Sequence, residues 1–306
     1  DGDNDTFIRL YSSDGTPVGG EINVSDPSDN NANDSPDFPS AVTVLAGGRI
    51  AVTWDSNSGG DTDIYTRVYE ADGTPIGAAQ NVSDVSFSTT YDQAQSVIAL
   101  ANGGYVVAWV SDRDGDRDLY SRVYTADGLP AGTEQNVSDP IDNNSFDNGA
   151  EVVGLEDGGY VVAWDSNYPN DEGGPDVYAR VYNADGAPRS AVFNVSNVPG
   201  GLDAGYLTSL TALAGGGFSI TLRSIISGDS DVHTRVFDSG AVTGIEDTAI
   251  AFPAITAAVS DTDGSESLVL MLSGFPADAT FSVGTLDAQT GHWVIDASDV
   301  ASLATT

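Results

Sequence analysis

Carboxylates that recur in short acidic loops are the residues whose type and spacing could do chemistry in this chain. The clearest loop runs from Asp112 to Asp118 and places Asp at alternate positions around Gly115. Calcium prefers six to eight oxygen ligands, which such a loop can direct at one point. Related loops repeat the pattern, so the predicted calcium ligands are Asp112, Asp114, Asp116, Asp118, Asp55, Asp61, Asp63, Asp165, Asp171 and Asp176. The alternative is that Asp simply suits turns on a solvated surface.

These loops belong to an internal repeat. Trp54, Trp109 and Trp164 are 55 residues apart, and each ends a short apolar segment such as Tyr105–Trp109. A second aromatic series has an Arg two residues earlier in every copy, and its members are Tyr11, Tyr69, Tyr124, Tyr182 and Phe237. A fixed period of this length is the signature of a repeat architecture.

One repeat unit is predicted to contain four short strands. In the second copy they are Ile64–Tyr69, Gln80–Ser83, Ser96–Leu100 and Tyr105–Val110. The last alternates between two faces with period 2, which is typical of a largely buried strand. The sequence therefore predicts an all-β fold, a β-propeller-like array of about four to five blades over residues 1–240. A non-closing stack of antiparallel sheets is the alternative.

Two further features recur at fixed strand positions. Asn-Val-Ser triplets begin at Asn23, Asn81, Asn136 and Asn194, so the repeat explains them better than a glycosylation signal does. The Arg that precedes each aromatic is expected to bridge to an acid in the next blade. A ring of these Arg side chains that binds an anion is the alternative.

The repeat ends near residue 240, and a second domain is predicted over residues 245–306. This segment carries Glu246-Asp247-Thr248, an Asp-x-Asp-Gly-Ser-Glu run from Asp261, Leu-Ser-Gly-Phe-Pro and Gly-His-Trp. As a set they resemble the cadherin-like or immunoglobulin-like repeats of large bacterial surface proteins, including RTX-type adhesins. The resemblance implies an incomplete Ig/cadherin-like β-sandwich with Asp261, Asp263 and Glu266 as further calcium ligands. The Gly-Gly-Tyr-Val-Val-Ala-Trp and Tyr-x-Arg-Val-Tyr patterns of the first 240 residues look like aspartate-rich repeats of the same proteins.

Composition excludes several classes. The chain has 46 acidic and 10 basic residues and a formal net charge of −36, which argues against a nucleic-acid partner. It has no Cys, which excludes disulfides, Cys-zinc sites and a thiol nucleophile. No apolar run is long enough for a transmembrane helix, so membrane insertion is not expected.

The resulting prediction is a secreted, cell-surface fragment of a bacterial adhesin. It would be stabilised by calcium, would act as a scaffold or ligand-binding module, and would not be an enzyme. Glycans or surface proteins are the expected partners, with loop aromatics such as Phe38, Phe87 and Tyr91 available to stack on sugar rings. One alternative is a homo-oligomeric filament subunit that assembles by strand complementation. Another is a polysaccharide-active enzyme, because glycoside hydrolysis needs only two suitably placed carboxylates.

Overall fold

The structure confirms the predicted all-β, propeller-like array. This computed structural model describes residues 5–25, 41–56, 62–83, 92–113, 115, 117–138, 147–167, 175–196, 204–214, 216–226, 229–237, 250–251, 269–272, 281, 283–286, 293–296, 299 and 304–305. Its strands are β1 (Phe7–Tyr11), β2 (Pro17–Asn23), β3 (Ala41–Val44), β4 (Ile50–Ser56), β5 (Asp63–Tyr69), β6 (Pro75–Asn81), β7 (Asp92–Ala99), β8 (Tyr105–Ser111), β9 (Asp118–Tyr124), β10 (Gln135–Asn136), β11 (Asp147–Gly154), β12 (Tyr160–Ser166), β13 (Asp176–Tyr182), β14 (Phe193–Asn194), β15 (Ala204–Ala212), β16 (Phe218–Ile226), β17 (Asp229–Phe237), β18 (Ile250–Ala251), β19 (Val269–Leu272), β20 (Thr285–Leu286), β21 (Trp293–Asp296) and β22 (Ala304–Thr305). A 3-10 turn, Ala46–Gly48, precedes β4.

The repeat forms antiparallel sheets whose strands follow chain order. The sheets are β1-β2, β3-β4-β5-β6, β7-β8-β9-β10, β11-β12-β13-β14 and β15-β16-β17. Each Trp strand therefore pairs with the Arg-containing strand that follows it, as Trp109 faces Tyr120 across β8 and β9. The predicted four-strand unit does not coincide with one sheet. Its last two strands form a sheet with the first two strands of the next predicted unit.

Two strands begin earlier than the sequence predicts. β6 starts at Pro75 rather than Gln80, and β7 starts at Asp92 rather than Ser96. The pairing register shifts between Thr66 and Val68 and between Ala94 and Ser96. Such bulges break the alternation of side chains, so a period-2 pattern recognises only the part of each strand beyond the bulge.

The core lies in apolar layers between successive sheets. Tyr105, Val107 and Trp109 of β8 pack in the layer toward the preceding sheet. Val106, Ala108 and Val110 pack in the layer on the other side. This confirms the predicted two-sided burial of the Trp strands, and ring stacking on the next strand fixes each Trp: Trp54 on Tyr65, Trp109 on Tyr120 and Trp164 on Tyr178, with centroids 5.9, 5.8 and 6.1 Å apart.

The Arg residues differ from the expectation of bridges to acids in the next blade. Arg67 donates from Nε and Nη2 to the Gly77 carbonyl at 3.0 and 2.8 Å. Arg180 donates from Nε to the Ser190 carbonyl at 3.2 Å. Both guanidinium groups also lie over the aromatic ring two residues on, at 5.8 and 5.6 Å from its centroid. In these two copies the Arg instead ties its strand to the chain that follows the next turn.

The chain divides into two compact units. The first comprises Asp1–Asp171 and Tyr178–Phe193, and the second comprises Glu172–Val177 and Asn194–Thr306. The second contains the sheet β15-β16-β17 and two smaller antiparallel sheets, β18-β22 and β19-β21-β20. The domain boundary near residue 240 stays a prediction, because residues 238–249 lie outside the described residues. No helix within the described ranges is long and apolar enough to cross a membrane.

Candidate active site

An Asp at the start of the third strand of each full sheet is held by the last residue of the fourth strand and by a Ser two residues further on. Asn81 Nδ2 donates to Asp63 Oδ2 at 3.0 Å. Ser83 Oγ accepts the Ile64 N–H at 3.0 Å and lies 3.4 Å from Asp63 Oδ1. We call this arrangement the Asp–Asn–Ser clasp. It joins the ends of two strands and holds a buried carboxylate in place.

The clasp recurs in the later repeats. Asn136 donates to Asp118 at 3.0 Å, and Asn194 donates to Asp176 at 2.8 Å. The hydroxyls of Ser138 and Ser196 accept the backbone N–H that follows each Asp. The Val between the clasp Asn and Ser is fully buried in every copy: Val24, Val82, Val137 and Val195. The Asn-Val-Ser triplets are thus part of the structural repeat, as predicted.

Asp92 adds a second carboxyl to the first complete clasp. Asp92 is the first residue of β7 and is only 1% exposed. Its backbone N–H donates to the Thr62 carbonyl at 3.2 Å. It faces Ser111 across the sheet, and the hydroxyls of Ser111 and Ser83 hydrogen-bond to its carboxyl. Ser83 therefore connects Asp92 to the clasp of Asp63. Two carboxyl groups of neighbouring sheets meet at this point.

Burial raises the pKa of Asp92 to about 6. The hydrogen bonds from Ser111 and Ser83 act in the opposite direction, as does the positive charge of Arg113, while the negative charge of Asp63 raises the pKa further. Oδ1 of Asp92 has no hydrogen-bond partner among the described residues. A carboxylate with an oxygen away from water and other donors is costly to ionise. Asp92 therefore holds its proton to a pH well above the range of an ordinary aspartate.

Arg113 approaches this pair of carboxyls from the loop after β8. Its guanidinium lies 3.7 Å from the centroid of the Tyr120 ring and forms an ion pair with Glu134. The sequence assigned this loop to calcium because of its Asp residues. In the structure the positive charge of its Arg113 lowers the pKa of Asp92.

The equivalent position differs between repeats. Asp147 begins β11 and donates its N–H to the Arg117 carbonyl at 3.0 Å, as Asp92 does to Thr62. Gly205 occupies the position in β15 and donates to the Pro175 carbonyl at 2.6 Å. A Cβ on Gly205 would lie 2.8 Å from Cβ of Ser196, so that strand has no room for a carboxyl group.

The predicted calcium ligands fall into three groups. Asp63, Asp118 and Asp176 belong to clasps, and Asp55 Oδ1 accepts the Ala94 N–H at 3.2 Å. Asp112 is exposed, and Asp165 is half-buried near Gly149. The remainder lie outside the described residues: Asp61, Asp114, Asp116, Asp171, Asp261, Asp263 and Glu266. Within the described part of the chain, no three His, Cys, Asp or Glu side chains converge as a metal site would require. Calcium binding stays a prediction.

Sequence reasoning missed Asp92 because the predicted strand began only at Ser96, which left Asp92 in the loop before it. The signal that could have found it is the spacing between Asp92 and Asp147, which is again 55 residues. The loop aromatics Phe38, Phe87 and Tyr91 lie outside the described residues.

No protein-family model matches the chain, and no curated protein matches it in sequence. Among solved structures, it is similar to an endo-arabinase from Bacteroides thetaiotaomicron, with 15% identity, 79% of this chain and 87% of that chain covered, and a TM-score of 0.38. It is also similar to an α-L-arabinofuranosidase from Fusarium graminearum in complex with an iminosugar inhibitor, with 13% identity, coverages of 96% and 93%, and a TM-score of 0.43. An α-L-arabinanase from Penicillium chrysogenum complexed with arabinobiose gives 13% identity, coverages of 65% and 62%, and a TM-score of 0.43.

These comparisons correct the predicted class. The named neighbours are arabinan-degrading enzymes and not RTX-type or cadherin-like adhesins, so the predictions of a bacterial cell-adhesion fragment and of a non-enzyme are wrong. The physical reason lies in the residues that carried the resemblance. Tyr160, Val162 and Trp164 of the Gly-Gly-Tyr-Val-Val-Ala-Trp pattern are fully buried strand residues, so they report sheet packing and not a ligand. Neighbours with bound arabinobiose are consistent with the predicted glycan partner.

Proposed function

We propose that this chain is a polysaccharide-active protein that hydrolyses glycosidic bonds, with Asp92 as the proton donor. The observation that carries the proposal is the pair formed by Asp92 and Asp63. One carboxyl is buried and keeps its proton to a pH of about 6. The other, Asp63, accepts a hydrogen bond from Asn81 Nδ2 at 3.0 Å and lies 3.4 Å from Ser83 Oγ. A carboxyl that keeps its proton near neutral pH, with a second carboxyl close by, is the usual equipment for glycoside hydrolysis.

The two groups would have different roles. Asp92 gives its proton to the glycosidic oxygen as the bond from that oxygen to the anomeric carbon breaks. Asp63, held by the clasp, stabilises the positive charge that develops on the sugar ring. A water molecule then adds its oxygen to the anomeric carbon, and its proton returns to the Asp92 carboxylate. The polysaccharide gains one water for each bond broken, and the protein ends in its starting protonation state.

A substrate panel with two matched variants tests this proposal. Arabinan is the first polysaccharide to assay, because the named neighbours act on arabinose-containing substrates, and xylan, pectin and alginate complete the panel. Release of reducing ends should fall at least about 100-fold in Asp92→Asn, because general acid catalysis contributes about that much. Asp147→Asn is the control, since it makes the same change at the same strand position one repeat later. It should keep most of the activity.

Three results would argue against hydrolysis. The first is no cleavage of any polysaccharide, and the second is an equal loss of activity in both variants. The third is retention of a polysaccharide in affinity electrophoresis without any turnover, which would leave glycan binding as the function.

We also propose that the chain works outside the cell and binds calcium through the loop around Gly115. The supporting features are the alternate Asp residues of that loop and the net charge of −36. The thermal midpoint should rise when calcium replaces a chelator. An unchanged midpoint would remove the calcium proposal without affecting the hydrolysis proposal.

A further inference from the structure

The sheet β1-β2 exposes side chains whose counterparts in the later complete repeats are buried or half-buried. Phe7 and Tyr11 are 54% and 59% exposed. The residues at the position of Tyr11 in the next two repeats, Tyr69 and Tyr124, are 1% and 0% exposed. Among the described strands, β1 pairs only with β2. Its other edge therefore carries main-chain groups with no described strand beside them.

Strand β3 of the next sheet also exposes side chains, on the face that carries the apolar layer shared with β1-β2. Val42 and Val44 are 60% and 65% exposed. They face Val52 and Ile50 across the sheet, which belong to the apolar layer between this sheet and β1-β2. The residues equivalent to Val42 in the next two sheets, Val97 and Val152, are both 7% exposed. Two separate exposed surfaces thus border one position, which we call the open position: the edge of β1 and the outer side of β3.

In the later sheets this position is filled by a β-hairpin. The pair β7-β8 lies beside β9, and Trp109 and Tyr105 of β8 stack on Tyr120 and Tyr124 with centroids 5.8 and 5.1 Å apart. Val106, Ala108 and Val110, on the opposite face of β8, pack into the layer shared with the next sheet. By the same geometry, a hairpin at the open position would stack a Trp on Phe7 and a Tyr on Tyr11. Its other face would cover Val42 and Val44.

The rest of the first sheet is already arranged as in the complete repeats. Ser25 Oγ accepts the Thr6 N–H at 3.0 Å, as Ser83 Oγ does from Ile64. Arg9 lies 5.8 Å from the centroid of the Tyr11 ring, the same distance as Arg67 from Tyr69. The β1-β2 pair thus has the contacts of the last two strands of a sheet.

We propose that the open position binds a β-hairpin of this repeat type, whose second strand carries Tyr and Trp four residues apart. Main-chain hydrogen bonds to the edge of β1 would give affinity, and the two ring stacks would fix the register. A second copy of this chain does not fit as the donor. Each strand at the Trp position, β4, β8, β12 and β16, is already paired on both sides, and so is β21 with Trp293.

A fusion tests the proposal with the chain's own sequence. Asp5 occupies the repeat position of Asp118, so a copy of residues 92–117 placed directly before Asp5 reproduces the natural loop between the Trp strand and the next strand. We expect amide exchange in Phe7–Tyr11 to slow at least about tenfold and the thermal midpoint to rise by about 4 °C or more. The control fusion carries Trp109→Ala and Tyr105→Ala in the added copy and should lose most of both effects. Val42→Asp should reduce the gain in the fusion but leave the unfused chain unchanged.

A cross-link keeps the test valid if the fusion folds poorly. The chain has no Cys, so a peptide of residues 92–111 with Val107→Cys can form a disulfide only with an introduced Cys. Val107 faces Arg122 across β8 and β9, and Arg9 is the equivalent of Arg122. The peptide should therefore trap Arg9→Cys and not Val18→Cys on β2. Equal trapping at both sites, or unchanged exchange of β1 in a folded fusion, would overturn the proposal. So would a dimer of the unfused chain in which β1 is already protected.

Discussion

Replacing the proposed proton donor should make the protein more stable while removing its activity. Asp92→Asn keeps the shape of the side chain and removes the group that ionises. The folded-state pKa of Asp92 is raised from an ordinary value of 3.8 to about 6. The folded protein thus binds this proton more tightly than the unfolded chain does. The stability that this proton contributes is fully present below about pH 4 and is lost as the pH rises through about 6.

The size of the effect follows from the pKa difference. A rise of about 2 pH units corresponds to about 3 kcal/mol between the two protonation states. At pH 7.5 the wild-type protein has lost this amount, whereas the Asn variant has not. Asp92→Asn should therefore raise the free energy of unfolding by up to about 3 kcal/mol at pH 7.5 and have little effect at pH 4.

Urea unfolding between pH 4 and 8 measures this difference. Asp14→Asn is the control, because hydrogen bonds from Ser12 and then Thr16 lower the pKa of this exposed carboxyl to about 2. The contribution of Asp14 is present above its unfolded pKa and is lost only as the pH falls toward 2, so its removal should not change the slope between pH 5 and 7. A variant Asp92→Asn that is less stable than wild type at pH 7.5 would refute the reasoning. In that case a loss of activity would reflect damage to the fold.

Two further substitutions test buried hydrogen bonds that recur in the repeats. Ser138→Ala removes the hydroxyl that accepts the Leu119 N–H at 2.9 Å and should cost about 1–3 kcal/mol in urea unfolding, whereas Ser12→Ala, at an exposed turn, should cost far less. Tyr160→Phe removes the buried 3.2 Å hydrogen bond between Tyr160 Oη and Ser121 Oγ and should cost about 1 kcal/mol. Adding Ser121→Ala should recover part of that loss in a double-mutant cycle, and a strictly additive double variant would contradict the role of the pair.

The sheets could be predicted from the sequence because their signal is local. The alternation of Tyr105–Val110 between two buried faces follows from period 2, and the structure extends that strand by one residue, to Ser111. The spacing of Trp54, Trp109 and Trp164 predicted the length of the repeat. The grouping of strands into sheets could not be predicted in this way, since a repeat can be divided at any loop without changing its period.

The candidate site could be predicted only in part because its contacts are not local. Asp63 and Asn81 meet because β5 and β6 pair, although they are 18 residues apart in the chain. Asp92 joins them only because the next sheet packs alongside. Its raised pKa comes first from burial, which depends on the packing of several strands. Sequence reasoning recognised Asp63 as an important carboxylate but assigned it to a metal instead of the clasp.

The last of the equivalent strands shows that the fold does not require a carboxyl at the position of Asp92. At the equivalent position Gly205 forms the same main-chain hydrogen bond without any side chain, so the sheet does not require a carboxyl there. Asp92 keeps a carboxyl whose ionisation in the folded protein is costly, beside the negative charge of Asp63. A neutral Asn would remove that cost and would still fit the space. Groups that reduce stability and are nevertheless retained concentrate at functional sites, where a perturbed pKa is itself useful. For a proton donor working near neutral pH, a pKa of about 6 is the useful value, and a side chain that served only the fold would not need it.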